Sequence, residues 1–287
     1  MMMSNVRKIG IYIFSVFLLP MCIESAVAAD KIAEEEKEFG YFAERTLLSS
    51  ERIIMDEKLN RKINEIGSRI AEVSENPGLE YRFYVINSPT VNAYSVAGGG
   101  VYICTGLLDI LESEDEVAGV LAHEIGHIVK SHGIKFYRSS KTKAALWKGL
   151  VTGVTGIVGE KLLSASGVTP YTHPYSYDSY SMLTSMGVSY GASVITAPLI
   201  KCWINGYGKE NEKEADDLAV LYMHKAGYDP QGFLKFLDRL RVMREKLNLS
   251  NKKYVSHLMN AEPGLEERMR NIEKLILEIK NNDERNK

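Results

Sequence analysis

Apolar residues recur at helical spacing over much of this chain of 287 residues. Between Asp30 and about Glu75 they return every three or four positions, which predicts a helical segment that stops at the sequence NPG. Residues 81–87 are aromatic and β-branched, which predicts a strand. Residues 92–108 carry three glycines in a row between two strand-like arms, which predicts a β-hairpin or a strand with a tight bend.

The strongest helix signal begins at Ser113. Ser113 can cap a helix that continues through VAGVLAHEIGHIVKSH, and Glu116 can reach back to complete a capping box. Later stretches of helical periodicity predict further helices at residues 205–230, 231–247 and 263–280. The chain thus contains several predicted helices and a few predicted strands.

The first 29 residues have the composition of an export signal, because Arg7 and Lys8 precede an apolar run that ends in small residues. Cleavage after Ala29 is expected to leave a single domain of residues 30–287 in the periplasm. Two alternatives stay open: the apolar run is kept as a membrane anchor, or Cys22 carries a lipid. Either one would add an association with the membrane.

Residues 182–200 carry no charge, so a membrane span has to be weighed there. Their Ser, Thr and Gly content, together with Pro198, makes the stretch only weakly apolar. A buried helix is therefore the favoured interpretation, and a membrane-embedded protein is the alternative.

The composition excludes one class of partner. The chain is 45% apolar and 25% charged, which is ordinary for a globular protein. Without residues 1–29, which hold Arg7, Lys8 and Glu24, the 35 basic and 37 acidic residues become 33 and 36. A nearly neutral chain is not expected to bind nucleic acid. Cys104 and Cys202 would both remain after cleavage, and whether they pair stays open.

His123 and His127 lie four residues apart on the predicted helix, so both imidazoles project from one face and can bind a single ion. Glu124 follows His123 and reaches the same space from the side. Two neutral imidazoles and a carboxylate suit one Zn²⁺ per chain, with room for a water molecule. Glu124 is then the candidate catalytic base, which takes a proton from the attacking water.

A third ligand has to come from elsewhere in the fold. Glu212 and Asp216 are four residues apart on a predicted helix, so Glu212 can bind the ion while Asp216 accepts a hydrogen bond from a ligand histidine. Glu214 is expected to point away from both. His132 is expected to be a solvent-facing or structural histidine rather than a ligand, because it is displaced by half a turn from His127.

Three stretches in this order, NAYSVAGGGVYICTGLL, EDEVAGVLAHEIGHIVKSH and NEKEADDLAVLYMHKAGYDP, resemble the zinc metalloendopeptidases related to HtpX and the CAAX prenyl endopeptidase, within them the exported BepA-like branch. The resemblance implies a gluzincin fold, a predominantly helical α+β structure with a small β-sheet beside the active-site helix. It implies that His123, His127 and Glu212 are the zinc ligands, that Glu124 is the base and that Asp216 lies behind the ligands. It also implies that a substrate segment pairs with an edge strand bordered by Asn92, Ala93, Gly98 and Gly99.

Two departures from the family pattern support a different hypothesis. Ala97 stands where the family usually has proline, and Glu262 stands where exported relatives have a histidine before proline. The leading hypothesis is a zinc endopeptidase that cleaves unfolded or misassembled envelope proteins. The alternative is a zinc-containing periplasmic chaperone or assembly factor whose peptidase activity is latent.

Overall fold

A computed structural model describes residues 36–48 without 38, 42 and 46, and residues 51–139, 206–246 and 264–285. In chain order the elements are α1 (Glu57–Ala71), β1 (Arg82–Ile86), β2 (Ala93–Val96), β3 (Gly100–Cys104), α2 (Thr105–Leu108), α3 (Glu114–Val129), α4 (Lys209–Lys225), α5 (Gln231–Lys246) and α6 (Leu265–Arg285). Residues 132–139 and the described part of 36–48 are also helical. The predicted α+β class, mostly helical with a small sheet, is confirmed.

The sheet has the strand order β1-β3-β2, with β1 parallel and β2 antiparallel to β3. The predicted hairpin is β2 and β3, and it turns through Gly98 and Gly99, whose φ angles of 89° and 97° favour glycine. The outer side of β1 is covered by a bridge between Ile53 and Ile86. Within the described residues, β2 is therefore the edge strand with an unpaired side.

Alternate residues of the strands enter two different apolar clusters, because side chains in a strand point to opposite faces. Val101 and Ile103 of β3 pack in the main core with α1, α3, α4, α5 and α6. Tyr102 and Cys104 face the other way and pack with Phe39 and other residues of the first helical segment. The sheet is thus buried on both faces, which fixes the position of its β2 edge.

The prediction of one helical segment from Asp30 to Glu75 is wrong in its middle. The Ile54 N–H donates to Val85 O at 2.8 Å, and the Asn87 N–H donates to Arg52 O at 2.8 Å, so this stretch pairs with β1. A new helix starts after Asp56, whose side chain accepts a hydrogen bond from the Leu59 N–H. Isoleucines continue through the break because Ile53 and Ile54 pack against the apolar clusters from the strand-like stretch, as the isoleucines of the following helix do.

The predicted start of α3 is half right. The Ser113 hydroxyl accepts a hydrogen bond from the Glu116 N–H at 3.2 Å, as a helix cap does. The Glu116 carboxylate, however, accepts from the Glu112 N–H at 2.9 Å and from Arg239 of α5, not from the Ser113 N–H. Glu116 therefore ties the start of α3 to α5 and does not close a capping box.

Several predictions concern residues outside the described part of the chain. These are the export signal of residues 1–29, the lipid at Cys22, the uncharged stretch 182–200, and Cys202 as a partner for Cys104. Cys104 itself is buried with a free thiol. No helix in the described ranges combines the length and the apolar character that a membrane span requires.

Gly119 lets α3 and α5 approach closely, and its replacement tests this packing. A Cβ at Gly119 would lie 2.6 Å from the Cβ of Phe233, so Gly119→Ala must push the helices apart. We expect a loss of about 1–3 kcal/mol in the free energy of unfolding, measured by urea titration, even though alanine favours a helix over glycine. Gly78→Ala is the control, because nothing lies within 4 Å of its Cβ position. Equal unfolding midpoints for both variants would contradict this packing.

Candidate metal centre

The centre lies where α3 and α4 cross, and small residues make the crossing close. A Cβ at Gly126 would lie only 3.2 Å from the Cα of Ala215, so the two helices almost touch there. Ala122 and Ala219, one turn away on the two helices, are also small and fully buried. Because the backbones approach each other, the polar side chains on either side of the contact meet without long reaches.

Three side chains predicted as ligands come together here. The Nε2 atoms of His123 and His127 are 3.0 Å apart. The Oε2 atom of Glu212 lies 3.5 Å from His123 Nε2 and 3.8 Å from His127 Nε2. All three residues are buried, and their arrangement can hold a metal ion.

These distances fit zinc. Ligand atoms at zinc–ligand distances of about 2.0–2.2 Å in a tetrahedron lie roughly 3.3–3.6 Å from one another. The electrostatics also fit: Glu124, Glu212 and Asp216 are buried carboxylates, and Arg268 is the one buried arginine or lysine among the described residues. With these four groups ionised and both imidazoles neutral, as zinc ligands are, two negative charges stay uncompensated, and a divalent cation would neutralise them. The residues present therefore suit a Zn²⁺ cofactor.

Asp216 links His123 to a buried arginine on α6. His123 Nδ1 lies 2.9 Å from Asp216 Oδ1. Arg268 donates through Nε to Asp216 Oδ2 at 2.8 Å and through Nη2 to Oδ1 at 2.7 Å. Burial alone would raise the pKa of the Asp216 carboxyl, but Arg268 outweighs burial and holds this pKa below its usual range. An ionised Asp216 keeps a proton on His123 Nδ1, which leaves the Nε2 lone pair facing the centre.

The ionisable groups of the centre respond to one another. Burial disfavours the charged form of His123, yet its contacts with Asp216 and Glu212 raise its pKa to about 9. Burial would also raise the pKa of Glu212, but the two imidazoles hold that pKa well below its usual range. Carboxylates that favour positive charge on their neighbours are the surroundings expected for a bound cation.

His132 and Glu214 form a chain of contacts behind His127. Nδ1 of His132 lies 2.7 Å from Nδ1 of His127, and its Nε2 lies 3.2 Å from Glu214 Oε2. His132 is fully buried, so the solvent-facing alternative is wrong and the structural one holds. Burial, with His127 beside it, lowers the pKa of His132 to about 4, which keeps the ring neutral at neutral pH.

Glu124 and Tyr207 complete the surroundings of the ligands. Glu124 is 1% exposed, and its charge acts on both His127 and Arg268. The Tyr207 N–H donates to Glu212 Oε1 at 2.8 Å, and the Tyr207 ring centroid lies 4.5 Å from that of His127. Tyr207 thus holds the carboxylate of Glu212 by one oxygen and leaves Oε2 toward the imidazoles.

A cavity of about 680 Å³ opens beside His127. One wall is the end of β2 and the turn after it, through Ser95, Ala97 and Gly98, and another wall is the helical segment that contains Phe39. Of the other predicted edge residues, Ala93 begins β2, Asn92 precedes it and is 2% exposed, and Gly99 lies in the turn. The hairpin edge and one residue of the ligand cluster, His127, therefore border one space.

The sequence did not predict the contacts behind the ligands, which are made by the buried residues Arg268, Tyr207 and His132 and by the exposed residue Glu214. A usable signal existed for Arg268, because it shares helical spacing with Leu265, Ile272 and Ile276, which are all buried. Glu214 carried no such signal, since its partner His132 is 82 residues away along the chain.

A helix that carries His123, Glu124 and His127, a glutamate from a second helix and a small mixed sheet together define the class of this protein as a zincin-type metallopeptidase. Residues 57–276 match the profile of Peptidase family M48, and the chain belongs to this family. Family membership confirms the recognition made from the three sequence stretches, and it implies zinc as the cofactor.

Individual relatives are similar over part of their length. The chain is 27% identical to the beta-barrel assembly-enhancing protease of Yersinia pestis over 224 residues, which are 78% of this chain and 41% of the relative. It is 26% identical to the mitochondrial metalloendopeptidase OMA1 of Schizosaccharomyces pombe over 216 residues, 75% of this chain and 52% of the relative. Metalloprotease YcaL of Escherichia coli is 24% identical over 187 residues, 62% of this chain and 60% of that protein. The chain thus spans about two fifths to three fifths of these relatives.

Arg268 is expected to be essential for stability, because its removal leaves the Asp216 carboxylate buried without its guanidinium partner. We expect Arg268→Ala to cost about 3–5 kcal/mol in the free energy of unfolding, measured by urea titration. Arg268→Lys should recover only part of this, since an ammonium cannot make the two parallel hydrogen bonds. Arg241→Ala, which removes a surface pair with Asp238 on α5, is the control and should leave the midpoint unchanged. A normal midpoint for Arg268→Ala would contradict the buried pair.

Proposed function

We propose that this protein is a zinc-dependent endopeptidase that hydrolyses peptide bonds of unfolded or misassembled polypeptides of the cell envelope. The observation that carries the proposal is the meeting of His123, His127 and Glu212, whose ligand atoms lie 3.0, 3.5 and 3.8 Å apart with Glu124 on the same helix. The match to Peptidase family M48 over residues 57–276 supports the same reaction class.

His123, His127 and Glu212 would hold the ion, and Asp216 would fix the orientation and tautomer of His123. Zinc held by two imidazoles and a carboxylate supplies Lewis acidity, which polarises a peptide carbonyl and makes water a better acid.

Glu124 would move the protons. Three observations support this role: Glu124 follows His123 on α3, it is shielded from bulk water, and its charge acts on His127. It accepts a proton from the attacking water and later donates that proton to the leaving amine, so that the amine departs neutral. Arg268 balances part of the buried negative charge while this happens.

The β2 edge would receive the substrate backbone. The Cys104 N–H donates to Asn92 O at 3.1 Å, so Asn92, Tyr94 and Val96 direct their backbone groups toward β3. The alternate residues Ala93 and Ser95 direct theirs toward the free side of β2. Gly98 and Gly99 then close the hairpin, and Gly98 lines the cavity. Pairing through backbone groups selects for extended chain and places little demand on side chains.

Several observations support the choice of substrate and compartment. Residues 1–29 have the pattern of an export signal, and several similar proteins are named for β-barrel assembly, a process of outer membranes. A chain delivered to the periplasm would meet unfolded envelope proteins there. Peripheral contact with the membrane is compatible with this location.

The first test separates the base from the ligands. Glu124→Gln should lower the cleavage rate of unfolded casein roughly 100- to 10,000-fold, because the amide cannot accept the proton of the water. This variant should keep its zinc, measured by metal analysis after gel filtration. Glu212→Gln should lose both zinc and activity.

The matched control is Glu114→Gln, which changes an exposed acid on the same helix that pairs with Lys62 at the surface. It should cleave at the normal rate. Normal activity of Glu124→Gln would refute the mechanism, and casein protected from aggregation but never cleaved by the zinc-loaded protein would favour the chaperone alternative.

A second test probes the β2 edge with N-methylated peptides. If the substrate pairs as a strand, only alternate backbone amides face β2. Methylating those amides, away from the scissile bond, should lower kcat/KM roughly threefold to tenfold per hydrogen bond lost. Methylating the intervening amides is the control and should have little effect. Equal tolerance of both peptide series would rule out strand pairing.

A further inference from the structure

His132 is not one of the three ligand residues, yet it is buried in direct contact with His127. It is fully buried and follows Ser131, which has a positive φ of 53° at the end of α3. This left-handed residue turns the chain sharply, so that the His132 ring lies under the His127 ring with centroids 5.0 Å apart. The left-handed conformation is unfavourable for serine, and here it occurs at the residue that turns His132 toward His127.

The hydrogen-bonding roles in this chain of contacts follow from the partners. The Glu214 carboxylate only accepts, so His132 Nε2, 3.2 Å away, carries the proton. In a neutral imidazole the other nitrogen then has a lone pair, so His132 Nδ1 accepts from His127 Nδ1–H across 2.7 Å. A proton on Nδ1 of His127 leaves its Nε2 lone pair directed at Glu212 and His123.

We propose that His132 is a positioning residue for the metal centre, which fixes the tautomer and orientation of His127 and is itself fixed by Glu214. The inference rests on the proposed function, because it concerns the same centre. It gives His127 the kind of support that Asp216 gives His123, but with a neutral imidazole in place of a carboxylate as the acceptor.

The arrangement explains how the centre supports two ligand histidines without a fourth buried carboxylate. An acid directly behind His127 would add a further negative charge to this region. The region already holds three buried carboxylates and only one buried guanidinium, that of Arg268, among the described residues. His132 supplies the acceptor without that charge, and Glu214, with a side chain 45% exposed, keeps its own charge at the surface next to Lys130.

The test measures zinc affinity of the full-length protein by competition with a fluorescent chelator, after the protein has been stripped of metal. His132→Leu fills the space but cannot accept a hydrogen bond, and should bind zinc roughly 10- to 100-fold more weakly. His132→Asn places an amide oxygen near the position of Nδ1 and should restore most of the affinity. The unfolding midpoint of the zinc-free proteins separates a loss of affinity from a loss of folding.

Two further variants complete the experiment. Glu214→Ala lies at the surface, so it does not threaten the core, and it should weaken zinc binding in the same direction but less, because water can replace the carboxylate. His224→Ala removes another histidine of α4 that faces an acid, Asp283 at 3.4 Å, away from the centre. It should bind zinc with normal affinity.

Weaker zinc binding in His132→Leu and Glu214→Ala, with recovery in His132→Asn, supports the inference. Normal zinc affinity in both His132→Leu and Glu214→Ala overturns it. Equally weak zinc binding in His132→Leu and His132→Asn also overturns it, because a hydrogen-bond acceptor at this position would then make no difference. If the unaltered protein binds no zinc, the proposed function itself fails, and that result is distinct from the others.

Discussion

Buried charge has to be compensated, and this constraint organises the whole centre. Glu124, Glu212 and Asp216 are nearly inaccessible to water, and each would be costly there without a partner. Arg268 donates two hydrogen bonds to Asp216, and the two imidazoles lie next to Glu212. What stays uncompensated is negative charge at the place where three ligand atoms converge. A divalent cation bound there would neutralise this charge. The same carboxylates that would destabilise the core without a cation would therefore favour metal binding.

The fold meets this constraint through backbone proximity. Gly126 and Ala215 let α3 and α4 nearly touch, so short carboxylate and imidazole side chains reach a common point. α6 brings Arg268 from the far end of the chain, and the turn at Ser131 brings His132 back beneath His127. The same α3 lies against the sheet whose β2 edge is open, which places a backbone-pairing surface beside the ligands. The proposed substrate edge and the proposed metal site would therefore share one scaffold.

Sequence could predict what is encoded locally. The spacing of His123 and His127 determines that both project from one face of a helix, and the spacing of Glu212 and Asp216 does the same on α4, so the composition of the cluster was predictable. The hairpin followed from its glycines. The break before Asp56 was not predictable, because the pairing of residues 52–54 with β1 is a tertiary contact and isoleucines suit both states. His132 and Glu214 are 82 residues apart along the chain, so no local sequence pattern could predict their contact.

The central claim is that one zinc ion is bound jointly by α3 and α4. The most direct measurement is the zinc-edge X-ray absorption spectrum of the purified full-length protein. The account predicts one zinc per chain with imidazole nitrogens and carboxylate oxygen at about 2.0–2.2 Å. A protein that retains no zinc, or a spectrum without imidazole ligands, would contradict it.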